Sequence, residues 1–215
     1  MTTTVEQYTE ISTVEQLTGL IGEPLPATRN KEREALDEAD VQWLQAAPFC
    51  VVATCDAEGN LDASPKGDPA GRLAHVIDNR TIALAERPGN RRADGYHNIL
   101  ANPHVGLIFL IPGRGDTLRI NGRARLVSEA PFFDEMIVKG HRPLLALVVD
   151  IDTVFHHCAK AFLRSELWKP DTWQPESVPS RAELAKRLDK KDEDLDKLKV
   201  YYDEANYRDQ LYRQQ

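Results

Sequence analysis

Three arginines fall within one short stretch, Glu86-Arg87-Pro88-Gly89-Asn90-Arg91-Arg92-Ala93-Asp94. A guanidinium presents parallel N–H donors that match the oxygens of a carboxylate or a phosphate. Thr81 to Ala85 just before it alternates like a strand, with Ile82 and Leu84 on one face. Tyr96 to Ala101 just after it reads as a short helix stopped by Asn102-Pro103. A helix start adds unpaired backbone N–H groups and a positive dipole end, so the combination suits a phosphate. Taken alone, the same residues also make an ordinary solvated basic turn.

A second polar stretch lies upstream, Asp62-Ala63-Ser64-Pro65-Lys66-Gly67-Asp68-Pro69-Ala70-Gly71. Ser64, Lys66 and Asp68 place a hydroxyl, a cation and a carboxylate close together. Pro65 removes a ladder donor and Gly67 permits close backbone approach, so the strand is expected to leave its sheet here and line something. Together the two stretches are expected to meet at one mouth of a barrel. A third pair of cations, Lys160 and Arg164, sits one turn apart on a helical segment, Ala159 to Trp168. Beyond Asp68 and His97 the pocket shows no obvious catalytic acid or base, and no catalytic residue is assigned. No serine nucleophile elbow and no phosphate-cradling Gly-Lys-Ser/Thr motif occurs. His156 and His157 are neighbours on a strand and point to opposite faces, so with Cys158 they do not close on one metal ion.

The elements that must position these groups follow from periodicity. Thr13 and its neighbours form a capping-box pattern at Ser12-Thr13-Val14-Glu15, followed by a stripe of Val14, Leu17, Leu20 and Ile21 that Gly22 ends. Pro24 and Pro26 read as a linker, and Asp37 as the cap of a helix through Val41 and Leu44. Both helices are expected to be packing elements. From Phe49 the period changes to two. Hairpins are expected around Asp56–Asn60 and Asp78-Asn79, a strand buried on both faces at His104–Ile111, and another strand from Thr117 to Val127. Pro131 opens a short helix, and Leu144 to Phe155 is the last strand. About seven strands with short turns predict a mainly β fold with flanking helices, a closed or split antiparallel β-barrel. The expected divisions are residues 1–47, an N-terminal helical extension; 48–178, the barrel with its C-terminal helix; and 179–215, an amphipathic helical tail. In that tail Leu184, Leu188, Leu195, Leu198, Tyr202 and Ala205 recur at helical spacing, with acidic and basic residues in balance. The stripe is expected to pack on the body or on a partner subunit.

The 215 residues are 41% hydrophobic with a formal net charge of −7. That charge argues against nucleic acid or an anionic membrane as a partner, and no apolar run is long enough to span a bilayer. The polar, acidic start lacks the pattern of a signal peptide. The three cysteines, Cys50, Cys55 and Cys158, include two that face opposite sides of one strand. A reducing, cytoplasmic setting is the expectation.

Four segments in this order resemble the flavin-binding split barrels related to pyridoxamine 5'-phosphate oxidase, in particular the branch of FMN-dependent enzymes. They are Ser64–Asp68, Arg87–Arg91, Thr117-Leu118-Arg119-Ile120-Asn121-Gly122-Arg123-Ala124, and His157-Cys158-Ala159-Lys160-Ala161-Phe162-Leu163-Arg164-Ser165-Glu166-Leu167-Trp168. The resemblance covers roughly residues 15 to 175 and leaves out the tail. It implies an FMN-dependent oxidoreductase that is a homodimer, with two FMN sites at the subunit interface and a small-molecule substrate or nicotinamide donor. It places Ser64, Pro65, Lys66, Gly67 and Asp68 beside the isoalloxazine ring, with Lys66 favouring negative charge on the reduced flavin. It assigns Arg87, Asn90, Arg91 and Arg92 to the ribityl phosphate, and Lys160 and Arg164 to completing the site from the other subunit. Relatives in the wider superfamily bind a deazaflavin or haem, and some have no demonstrated catalysis. A deazaflavin-dependent reductase and a non-catalytic flavin-binding protein are therefore the alternatives. The chain lacks the basic ending with which true pyridoxamine 5'-phosphate oxidases bind substrate.

Overall fold

The computed structural model describes residues 8–208 and 211–212. The first seven positions of the polar start, and Asp209 and Arg213 of the tail, lie outside the described residues. The chain divides into two compact units, up to Glu32 and from Arg33 onward.

In the first unit, helix α1 (Val14–Ile21) is capped by Thr13, one position later than the expected Ser12, because Gln16 returns the capping bond that Glu15 was expected to make. Gly22 ends it at φ 79°. Its stripe does not behave as a packing face: Val14, Leu17, Leu20 and Ile21 are all exposed. The expected linker after it contains a short helix, α2 (Pro26–Arg29), which Pro26 opens with its preset φ.

The second unit begins with α3 (Glu38–Ala46), capped reciprocally by Asp37 and Asp40. Seven strands follow: β1 (Phe49–Cys55), β2 (Leu61–Gly67), β3 (Ala74–Asp78), β4 (Thr81–Ala85), then helix α4 (Asp94–Ala101), β5 (His104–Leu110), β6 (Thr117–Val127) and β7 (Ala146–His157). They make one antiparallel sheet in the order β2-β1-β5-β6-β7-β4-β3. The sheet does not close: β2 and β3 are its two edges, and the barrel is split. Its inner face carries Val52, Leu84, Leu107, Phe109, Leu118, Ile120, Val149 and Val154, with Leu36 and Leu44 packed among them. A smaller cluster around Phe133 and Met136, from the 3-10 turn at Pro131–Met136, covers the outer side of β4 and β7.

Three strands depart from expectation. Pro65 does not end β2; the strand runs through it, with Pro65 paired opposite Val51. An edge strand has one side without ladder partners, so the missing N–H of proline costs nothing there. The strand buried on both faces is β7, through Ala146–Val149, and not β5, whose alternate residues His104 and Ile108 are exposed. β7 lies between β6 and β4 and is covered on both sides, whereas the outer side of β5 is open. The turn between β3 and β4 falls at Asn79-Arg80.

After β7 come α5 (Lys160–Ser165) and the tail helices α6 (Arg181–Leu184), α7 (Leu195–Tyr201) and α8 (Glu204–Arg208). The tail's apolar residues bury against one another: Ala182, Ala185 and Leu198 form a cluster with Leu195 and Tyr202. Leu188, expected in the stripe, is exposed, because the π turn at Ala185–Asp189 rotates the helical phase. No described helix is long and apolar enough to cross a membrane.

Candidate functional site

The site lies at the seam where the sheet stays open. β2 brings Ser64 and Lys66 to one side of the split, and the loop leaving β4 brings Glu86 to Arg92 to the other. Lys66 Nζ reaches Glu86 Oε2 at 3.2 Å and Tyr96 Oη at 3.3 Å. Tyr96, on α4, also donates to Glu86. Burial foremost, and then the Glu86 charge, push the Tyr96 phenol well above its ordinary range, so it stays a proton donor. Asp68 Oδ2 accepts from Arg87 Nε at 2.7 Å, in a pair whose arginine and aspartate side chains are 13% and 3% exposed. Arg87 Nη2 donates to the Met136 carbonyl at 2.9 Å, and Nη1 is buried with no partner. The two polar stretches are thus brought together, as expected, by two ion pairs that bridge the seam.

The arginine loop itself is strained. Arg91 and Ala93 have φ of 60° and 57° without being glycine, each a cost of roughly 1–2 kcal/mol. Asn90 Oδ1 accepts from the Arg92 amide at 3.1 Å, and Arg92 pairs with Asp94 on the exposed side. Arg91 has no hydrogen-bond or ion-pair partner among the described residues. α4 anchors the loop: Ile99 is buried in the core, Asn98 Nδ2 donates to Thr54 Oγ1 at 3.1 Å, and Asn102 Nδ2 donates to the Asp56 carbonyl at 3.4 Å.

These groups line three adjoining cavities. One, of about 280 Å³, is bounded by Ser64, Lys66, Asn90, Arg91, the start of α4 and Tyr96. A second, of about 470 Å³, shares Ser64, Lys66 and Asn90 and adds Asp68, Arg87, Leu211 and Tyr212. The third, of about 240 Å³, runs past Arg87 and Arg91 to His141, Arg142 and Tyr212. Glu86, Tyr96, His141 and Tyr212 were not picked out as site residues from the sequence. Glu86 and Tyr96 flank the arginine stretch and could have been, as natural partners for Lys66. His141 and Tyr212 are distant in sequence and carry no local pattern.

Lys160 and Arg164 are not among the residues lining these cavities. α5 follows the end of β7 that pairs with Thr117, whereas the loop leaving β4 starts at the other end, where Ala146 pairs with Ala85. Trp168 caps the loop before β6, donating to the Arg114 carbonyl at 2.6 Å. His156 Nε2 lies 3.1 Å from Asp40 Oδ1, and among the described residues no cluster of three or more metal-ligating side chains occurs.

A family model described as pyridoxamine 5'-phosphate oxidase matches residues 36–158, more than half of the chain. The chain belongs to the pyridoxamine 5'-phosphate oxidase family. The matched region runs from Leu36, two residues before α3, to just past β7, and contains both polar stretches of the seam. Among solved structures, a putative pyridoxamine 5'-phosphate oxidase from Lactobacillus delbrueckii is 22% identical, with 57% of this chain and 95% of that one covered at a TM-score of 0.45. HupZ of Group A Streptococcus is 18% identical, covering 56% and 93% at a TM-score of 0.45. An FMN-binding protein from Syntrophomonas wolfei is 16% identical, covering 56% and 89% at a TM-score of 0.42. No curated protein matches the chain.

Proposed function

We propose that the seam binds FMN and that the protein is an FMN-dependent oxidoreductase acting on a small molecule. The observation that carries this reading is the state of the two central arginines. Arg91 is held without a partner in a strained conformation at the cavity wall, and Arg87 keeps one buried, unpaired Nη1. An unpaired buried donor is costly unless a ligand supplies the acceptor, and a phosphate supplies several. The family adds weight, and so does the strain, which is characteristic of functional sites.

When bound, the flavin would supply the redox chemistry, and the chain's own residues would hold and tune it. Arg91, Arg87 Nη1 and the Asn90 region would take the phosphate. Ser64 to Gly67 would run along the ring, with Lys66 providing positive charge and Tyr96 a proton-bearing hydroxyl.

That Lys160 and Arg164 line none of these cavities within one chain supports a homodimer, in which a second copy would bring them to the site. The outer face of β2, β1 and β5 suits such contact, because Pro65, Val51 and Ile108 align across it, with Phe49 and Leu61 also exposed. All three cysteines are free, which fits a reducing cytoplasm.

The test is a titration of purified protein with FMN and with a deazaflavin, followed by anaerobic mixing with reduced nicotinamides. FMN should bind more tightly than the deazaflavin, and bound FMN should bleach on mixing. Tighter deazaflavin binding would move the protein to that cofactor class. FMN binding without reduction by any donor would favour a flavin carrier or sensor.

A further inference from the structure

The segment Leu211–Tyr212 lies outside the family match, yet it enters the site. Tyr212 Oη and Asp68 Oδ1 are 3.0 Å apart, while Arg87 holds the other oxygen of the same carboxylate. The Tyr212 ring stacks on His141 with centroids 5.8 Å apart, and Lys139 Nζ lies over it at 5.5 Å. The receptor for this ring is built. Val138 to His141 is a tight turn closed by the His141 amide on the Val138 carbonyl at 2.9 Å. Its central residues Lys139 and Gly140 take φ of 49° and 80°. Glycine adopts that region freely, but lysine does not, and the turn brings both Lys139 and His141 against one aromatic ring. Tyr212 borders both the cavity of about 470 Å³ and that of about 240 Å³.

We propose that Leu211–Tyr212 is a latch on the candidate site. Tyr212, bonded to Asp68 and stacked on His141, forms the partition between the two cavities, and a ligand that spans them enters or leaves only when it swings away. Burial and the Asp68 carboxylate hold the Tyr212 phenol above its ordinary range, so the latch keeps its proton at neutral pH. The class of ligand rests on the flavin reading, but the latch does not.

The experiment measures access with and without flavin. In a background with Cys55→Ser and Cys158→Ser, Leu73→Cys places a thiol on the wall of the larger cavity, where Leu73 is 3% exposed. Cys50, fully buried, reports global opening in the same molecule. Alkylation by a small maleimide should speed up about tenfold at position 73 on adding Tyr212→Phe, the loss of one bond to a charged group. It should speed up further with Tyr212→Ala, while Cys50 stays slow in all of them. Equal rates at position 73 with and without Tyr212→Phe would overturn the latch, and so would a parallel rise at Cys50. In the otherwise native chain, Tyr212→Phe should accelerate both FMN association and release. If the native chain binds no FMN, the flavin reading fails, while the alkylation rates still decide the latch.

Discussion

Arg87 and Arg91 belong to one loop and have opposite circumstances. Arg87 is part of the structure: its guanidinium joins Asp68 on β2's end to the Met136 carbonyl across the seam. Removing it leaves Asp68, 3% exposed, without its countercharge. Arg87→Ala should therefore lower folding stability by about 3–5 kcal/mol, measured by urea denaturation in the absence of ligand. A loss below about 1 kcal/mol would show that the pair contributes little. The two polar stretches of the candidate site were legible in the sequence, because clustered arginines and a Ser-Pro-Lys-Gly-Asp run are unusual. Their pairing was not. That Lys66 meets Glu86 and Arg87 meets Asp68 depends on which strand edges face each other, and local pattern carries no such information.

At the scale of elements, two features fix the sheet and the helix packed on it. The first is Gly122 in β6. A side-chain carbon there would strike the Asp150 carbonyl on β7, and the register shifts at this point so that Asp152 bulges out. The glycine of the Thr117–Ala124 motif thus serves close strand approach. Gly122→Ala should cost about 1–3 kcal/mol in thermal or urea unfolding; wild-type stability would contradict this. The second is Asp40, fully buried on α3. It accepts two bonds from Arg33 at 2.5 and 2.9 Å and one from the Asp37 amide, and it faces His156. Burial raises its pKa, but those partners outweigh burial and hold the carboxyl below its ordinary range. A depressed folded pKa contributes stability that is present above the unfolded value, near 4, and is lost as pH falls through the folded one. The chain should lose stability from about pH 5 downward, and Asp40→Asn should flatten that slope; an unchanged slope would remove Asp40 from the account. The strands were readable from alternation, and most strand ends fell within a few residues of expectation. The errors came from neighbours: Pro65 stays in β2 because β2 is an edge, and β5 is half open because no described element covers its outer side.

At the scale of the molecule, Lys160 and Arg164 on α5 line none of the seam's cavities within one chain. The apolar stripes of α1 and the tail were visible in the sequence, but not that the first would lie exposed and the second bury against itself, since a stripe states only that a face is apolar. Complementation tests the proposed pairing of chains. Arg91→Ala and the double change Lys160→Ala/Arg164→Ala should each weaken FMN enough to leave the sites empty at a flavin concentration that fills the native protein. If each site draws on two chains, random mixing after unfolding and refolding should restore about a quarter of the sites, counted by flavin absorbance. No recovery would place both sets of residues in one chain's site, or exclude α5 from it.

The most direct test of the account compares FMN with riboflavin, which lacks the phosphate, in the native chain and in Arg91→Ala. Arg91 has no partner to lose, so the variant should fold with stability within about 0.5 kcal/mol of the native chain. Its dissociation constant for FMN should rise roughly ten- to a hundredfold, the loss of one charge-assisted contact. Its affinity for riboflavin should stay within about threefold, well under 1.4 kcal/mol. Equal FMN affinity in the two proteins, or equal losses for both ligands, would contradict a phosphate anchor at Arg91 and with it the placement of the site.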